Sequence, residues 1–122
     1  MKSMYLVLIS SMILTLGCYK DKRELLYPEN NCDTTSVTYV GTIQPILSKN
    51  CASAGCHEGA ASAAGIDLSN YSGTKIIAEN GRLIGVINHA DGFSPMPKNM
   101  AKLSNCDINK ITAWINKGSI NN

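Results

Sequence analysis

The residues with the clearest chemical potential lie at positions 51–57, which read Cys-Ala-Ser-Ala-Gly-Cys-His. Two Cys with a His directly after the second are typical of covalent haem attachment. In the usual attachment motif, two residues separate the two Cys. The thiols add across the haem vinyl groups, and the His is forced under the iron as its proximal ligand. Here four small residues separate Cys51 from Cys56, so the chain must bulge outward, and Gly55 can take a positive φ there. The motif predicts one covalent haem c held by Cys51, Cys56 and His57.

The motif by itself leaves two other interpretations open. Cys51 and Cys56 could form a local disulfide, or they could belong to a zinc site, which needs about four N or S ligands. The only other His in the chain is His89. Cys32 and Cys106 could in principle complete a zinc site, although thiols of exported proteins more often form disulfides.

A Met sulfur is the usual ligand opposite the His of an electron-carrying haem c, and the chain offers Met96 and Met100. Met96 lies between Pro95 and Pro97, which fix φ, lack amide donors and hold an extended loop that can present the thioether rigidly. We therefore predict Met96 as the distal ligand, with Met100 as the alternative. We expect His89 to be a polar loop residue near the haem edge; alternatively, it binds a propionate or replaces Met96.

The N-terminal segment has the features of an export signal. Lys2 precedes a mostly apolar run over residues 4–16, which ends in Gly17 and Cys18. The run is shorter than the roughly 20 apolar residues that a transmembrane helix needs. The Cys after Gly resembles a bacterial lipoprotein lipobox, which predicts a lipid on Cys18. The alternative is an ordinary signal peptide or an uncleaved anchor in which Cys18 is incidental.

The chain is thereby expected to divide into three parts. Residues 1–17 are the signal peptide, residues 18–36 a lipidated tether, and residues 37–122 one folded domain. The predicted location is the cell envelope, in the periplasm or at the outer membrane, with the membrane reached through the lipid anchor.

The chain contains five cysteines. If Cys18 carries a lipid and Cys51 and Cys56 hold haem, then Cys32 and Cys106 remain. Two remaining thiols tend to pair in an oxidising compartment, so we predict a Cys32–Cys106 disulfide. Two free thiols are the alternative.

The composition suits a small domain built around a cofactor. The chain has 122 residues, with one Phe and one Trp. A core this small usually depends on a disulfide, a metal or a cofactor. The net charge of +2 favours neither nucleic acid nor an anionic membrane surface as a partner.

Apolar residues at helical spacing predict a helix just before the attachment motif. These residues are Val40, Ile43, Ile46 and Leu47. Pro45 lies inside the run and should either kink the helix or mark its first turn.

Three further helices are predicted, and no segment alternates as a strand would. Two short helices over residues 74–78 and 82–88 are broken at residues 80–81. The last helix is capped by Ser104 or Asn105. Its apolar face consists of Ile108, Ile111, Trp114 and Ile115. The sequence therefore predicts an all-α domain.

In their order and spacing, these pieces resemble small monohaem cytochrome c domains of exported proteins from Bacteroidetes and planctomycetes. The matching segments are residues 39–47, 51–57, 65–71, 83–87, 95–97 and 108–118. The resemblance implies a cytochrome c-like fold, in which the N- and C-terminal helices pack against each other around one haem. It also implies that His57 is proximal and Met96 distal, and it makes Gly41 a candidate for close approach to Trp114. The longer Cys spacing departs from the family pattern.

The expected function is single-electron transfer to an unidentified redox partner protein, without catalysis. An iron bound by both His57 and Met96 has no open site, and the cofactor supplies the redox chemistry. One alternative is a haem enzyme or gas sensor in which Met96 is not bound. Another is a haem-free surface module held by Cys51–Cys56 and Cys32–Cys106 disulfides.

Overall fold

A computed structural model describes residues 32–122. The predicted signal peptide, the predicted lipid on Cys18 and the tether up to residue 31 lie outside the described part. Every regular element in residues 32–122 is helical and none is a strand, which confirms the prediction of an all-α domain. No helix in this part of the chain has the length and hydropathy needed to cross a membrane.

The described part contains four α-helices and two shorter helical turns. The helices are α1 (Gln44–Asn50), α2 (Tyr71–Glu79), α3 (Arg82–Ile87) and α4 (Asn105–Asn116). A π-helical turn, Tyr39–Ile43, leads directly into α1, and a 3-10 turn, Ala63–Gly65, lies in the loop before α2. The buried core includes Tyr39, Ile43, Leu47, Cys51, Leu68, Ile77, Leu83, Ile87, Ile108, Ile111 and Trp114.

The π-helical turn has a local cause in Pro45. Pro45 lacks an amide, and its ring clashes with the carbonyl four residues earlier in a continuous α-helix. The turn widens instead, and the Ile43 amide bonds the Thr38 carbonyl five residues back at 3.1 Å. Pro45 therefore falls in the first turn of α1. Val40, one of the apolar residues that predict this helix, is 60% exposed, because the wider turn directs Tyr39 inward in its place.

The two short helices and their break match the sequence pattern. Gly81 has a φ of 77° and separates α2 from α3, because a left-handed residue ends the helical run. Helix α2 begins at Tyr71, three residues before the predicted start. The side chain of Asn70 accepts a hydrogen bond from the Gly73 amide at 2.9 Å and caps this earlier beginning.

Helix α4 packs against the π-helical turn through aromatic side chains. Ser104 caps the helix by accepting from the Asp107 amide at 3.0 Å, as predicted. Trp114 is fully buried, and its ring centroid lies 5.6 Å from that of Tyr39. The expected approach of Gly41 to Trp114 was wrong. Gly41 is exposed, and a Cβ added to it would meet the Thr38 hydroxyl that caps the turn.

The first described residues are fastened to α4. The sulfur atoms of Cys32 and Cys106 lie 2.10 Å apart, at disulfide-bonding distance. Lys117, just past the end of α4, donates to the Thr35 carbonyl at 2.6 Å. The segment that precedes the π-helical turn is therefore attached to α4 near its beginning, through Cys106, and just past its end, through Lys117.

Candidate haem attachment site

The attachment motif begins where α1 ends. Cys51 follows the last residue of α1 and is buried, whereas residues 53–56 are exposed. The Cys56 amide donates to the Ser53 carbonyl at 2.9 Å, which closes a tight turn. Gly55 has a φ of 81° within it, a conformation that glycine adopts without a Cβ clash. The extra residues between the Cys thus form the outward bulge that the spacing predicts.

His57 is oriented by the backbone of residues 66–68. Its Nδ1 lies 3.0 Å from the Ile66 carbonyl oxygen. A carbonyl can only accept, so Nδ1 carries the proton, and in the neutral ring Nε2 keeps its lone pair. The Leu68 amide donates to the His57 carbonyl at 2.9 Å. A His that binds metal through one nitrogen characteristically donates its other N–H to such a backbone carbonyl.

The carboxylate of Asp67 fixes the same segment, and sequence reasoning did not identify it. One oxygen accepts from the Gly59 amide at 3.1 Å, the Ser69 amide at 2.9 Å and the Ser69 hydroxyl at 2.6 Å. The other accepts from the Asn70 side chain at 2.7 Å. The hydrogen bonds from Ser69 and then those from Gly59 and Asn70 hold the pKa of Asp67 below its usual value of 3.8. Asp67 is therefore ionised at neutral pH.

Met96 is anchored to the end of α3. Its amide donates to the Val86 carbonyl at 3.0 Å, and its carbonyl accepts from His89 Nε2 at 3.1 Å. Met96 is half-buried, whereas Met100 is 67% exposed. The Met100 amide bonds only the Pro97 carbonyl three residues earlier, so of the two candidate distal ligands Met96 is the more buried and the one bonded to α3. His89, expected to be a polar loop residue, bonds the backbone of the Met96 segment.

Phe93 provides a second anchor for the Met96 segment. Gly85 in α3 is buried, and a Cβ added to it would lie 2.6 Å from three ring atoms of Phe93. The ring therefore packs directly on the glycine, which has no side chain to displace it. The Ala90 amide also donates to the Gly85 carbonyl at 3.0 Å.

The predicted site residues fall into two groups, each in its own loop. Cys51, Cys56 and His57 share one loop, and Met96 and His89 share another. No hydrogen bond between described residues joins these two loops. Across residues 32–122, no three His, Cys, Asp or Glu side chains form a group that could hold a metal ion. A zinc site would need such a group, whereas a haem iron takes only axial ligands from the chain.

The two motif thiols are free and differ in environment. Cys51 is buried and Cys56 is exposed. Burial, and to a smaller extent the charge of Cys56, raises the pKa of the Cys51 thiol to about 11. Because the thiolate is the nucleophile, Cys51 should be unreactive near neutral pH while Cys56 remains accessible.

This difference predicts selective alkylation in the haem-free chain. At pH 8, iodoacetamide should modify Cys56 at least tenfold faster than Cys51, and the Cys51 rate should rise steeply as the pH approaches 11. Peptide mass mapping over time measures both rates. The same reaction in denaturant is the control and should make the two rates similar. Equal rates in the native chain would contradict the burial of Cys51.

Comparisons with protein-family models, curated proteins and solved structures give no match for this chain. The cytochrome c-like fold therefore remains an expectation from the sequence motifs. What the chain does has to be inferred from its own residues and their geometry.

Proposed function

We propose that residues 37–122 form a monohaem c-type cytochrome domain that carries single electrons. Cys51 and Cys56 would hold the haem through thioethers, with His57 as proximal and Met96 as distal ligand. The observation that carries the proposal is the 3.0 Å hydrogen bond from His57 Nδ1 to the Ile66 carbonyl. It leaves the lone pair of Nε2 available to bind a metal, on the residue directly after the second Cys.

The chemistry of the donor set fits a haem c. Two free thiols, one imidazole with a defined tautomer and one half-buried Met side chain are the groups that covalent attachment and His/Met ligation require. Partly buried apolar side chains accompany both loops and would cover an apolar ring; they include Ala52, Ile66, Ile84 and Val86. A bound haem would also add apolar volume to a small core with a single Trp.

When bound, the haem supplies the one-electron chemistry, and the chain supplies its surroundings. Hydrogen bonds to the Ile66 carbonyl and from the Leu68 amide fix His57, and hydrogen bonds with Val86 and His89 fix the backbone of Met96. Ligands held on both sides would move little between the ferric and ferrous states. A small movement favours fast electron transfer over catalysis at an open iron site.

The envelope location follows from the N-terminal segment. We propose that residues 1–17 export the protein and that Cys18 carries a lipid, so that the domain meets its redox partner protein at a membrane. The Cys32–Cys106 pair at disulfide distance supports an oxidising compartment.

The decisive experiment is expression of the full chain with a haem c maturation system. We expect a coloured protein with a Soret band, and an intact mass under denaturing conditions that includes one haem. The same mass spectrum reports any acyl groups on Cys18. A colourless protein whose residues 51–57 have an unmodified mass would refute the proposal and leave the haem-free module.

The sixth ligand is tested by replacing Met96→Ala, with Met100→Ala as the matched control. Loss of the sulfur ligand in Met96→Ala should abolish the long-wavelength ferric band of a Met–iron bond and lower the reduction potential, because Met ligation raises it. Absorption spectroscopy and redox titration measure both effects. Met100→Ala should keep the wild-type spectrum.

Two results would contradict this ligand assignment. Loss of the band in Met100→Ala alone would move the ligand to Met100. High-spin ferric features in the wild-type protein would indicate an open site and would favour the enzyme or gas-sensor alternative.

A further inference from the structure

We propose that Asp67 is a positioning residue that holds the Ile66 carbonyl against His57 Nδ1 and thereby sets the reduction potential of the iron. The inference rests on the proposed haem function and extends it to a residue outside the attachment motif. No hydrogen bond joins the Asp67 carboxylate to the His57 imidazole, so Asp67 would act through the backbone.

Asp67 lies between the two residues that bond His57. The Ile66 carbonyl accepts from the imidazole at 3.0 Å, and the Leu68 amide donates to the His57 carbonyl at 2.9 Å. The Asp67 carboxylate adds a third link by accepting from the Gly59 amide, two residues beyond His57. These three hydrogen bonds join residues 66–68 to the segment from His57 to Gly59.

The link to Gly59 distinguishes this carboxylate from an ordinary turn residue. The hydrogen bonds that Asp67 accepts from Ser69 and Asn70 span two and three residues and are typical of a local Asx turn. The bond to Gly59 spans eight residues and contributes nothing to that turn. Its structural effect is to hold the loop that carries His57 against residues 66–68.

Helix α2 holds the Asp67 backbone in place. Asn70 bonds Asp67 through its amide nitrogen and caps α2 at Gly73 through its oxygen. Gly73 lies so close to the Asp67 backbone that an added Cβ would overlap the Asp67 carbonyl oxygen. The Asp67 backbone is thereby fixed against the first turn of a helix that packs in the core.

The position of the Ile66 carbonyl has an electronic consequence. A hydrogen bond from the outer ring N–H of a metal-bound His raises the basicity of the ligand nitrogen. A more basic ligand favours ferric over ferrous iron and lowers the reduction potential. A substitution that weakens the hydrogen bond between His57 Nδ1 and the Ile66 carbonyl should therefore raise the reduction potential of the iron.

The test compares redox titrations of haem-loaded Asp67→Ala, Asp67→Asn and Asp91→Ala. Both Asp67 variants remove one negative charge, but the Asn oxygen can still accept from Gly59 and Ser69. Asp91 is exposed, and no side-chain hydrogen bond of Asp91 is found within residues 32–122, so its variant controls for charge alone. We expect a positive shift that is largest in Asp67→Ala, smaller in Asp67→Asn and near zero in Asp91→Ala.

Two further measurements separate positioning from electrostatics and from misfolding. Ser69→Ala removes one hydrogen bond without changing charge and should give a small positive shift. In the ferrous protein, hydrogen exchange of the His57 Nδ1 proton, followed by NMR, should accelerate in Asp67→Ala and Ser69→Ala.

Equal shifts in the two Asp67 variants, with unchanged proton exchange, would overturn the proposal in favour of a pure charge effect. Wild-type potentials in both Asp67→Ala and Ser69→Ala would also overturn it. A wild-type protein without haem would instead refute the proposed function, so the two failures are distinguishable.

Discussion

The double variant Cys51→Ser/Cys56→Ser should contain no covalently bound haem when it is expressed with a haem c maturation system. A hydroxyl is a far weaker nucleophile than a thiol and does not add across the haem vinyl groups. His57 and Met96 would remain, but ligation of the iron without thioethers gives only a dissociable complex. The expected result is an intact mass without haem after denaturation and complete loss of the Soret band from the unfolded chain.

The single variants refine this expectation. Cys51→Ser and Cys56→Ser each leave one thiol, so each should retain haem through one thioether at reduced yield. The matched control is Cys32→Ser/Cys106→Ser, which also removes two cysteines but should leave the haem in place. Haem that survives denaturation in Cys51→Ser/Cys56→Ser would show that the attachment site lies elsewhere.

The helices could be predicted largely because their signals are local. Gly81 marks the break between α2 and α3, and Ser104 marks the start of α4, each through the conformation or side chain of one residue. Pro45 also signals locally, but its effect was only half predicted. The sequence indicates a disturbed turn, whereas the inward direction of Tyr39 depends on how wide that turn becomes.

The residues of the candidate site could be predicted only where their signal is local in the sequence. Cys51, Cys56 and His57 stand out because seven consecutive residues carry the whole pattern. The roles of Asp67 and His89 depend on bonds to Gly59 and Met96 across loops whose paths the sequence does not specify. The run Asp-Leu-Ser-Asn at residues 67–70 indicates a turn, but nothing in it identifies the partner eight residues earlier.

The variant Cys32→Ser/Cys106→Ser should destabilise the folded domain while leaving its haem chemistry unchanged. The two residues are 74 apart in sequence, so a bond between them restricts a long loop in the unfolded chain. On the chain-entropy account, its loss should lower the free energy of unfolding by about 4 kcal/mol. Denaturant unfolding of the haem-loaded protein, followed by tryptophan fluorescence, measures the change through Trp114.

Reduction of the wild-type protein provides the internal control for this prediction. With the iron kept ferrous in every sample, a thiol reductant should bring the wild-type unfolding midpoint down to that of the double variant and should not move the midpoint of the variant itself. The thioethers are not cleaved by such a reductant, so the intact mass should still include one haem. An unchanged free energy of unfolding, or alkylation of Cys32 and Cys106 in the unreduced native protein, would mean that the two sulfurs are not bonded. The first described residues would then depend on weaker contacts, such as the bond from Lys117 to the Thr35 carbonyl, to stay on α4.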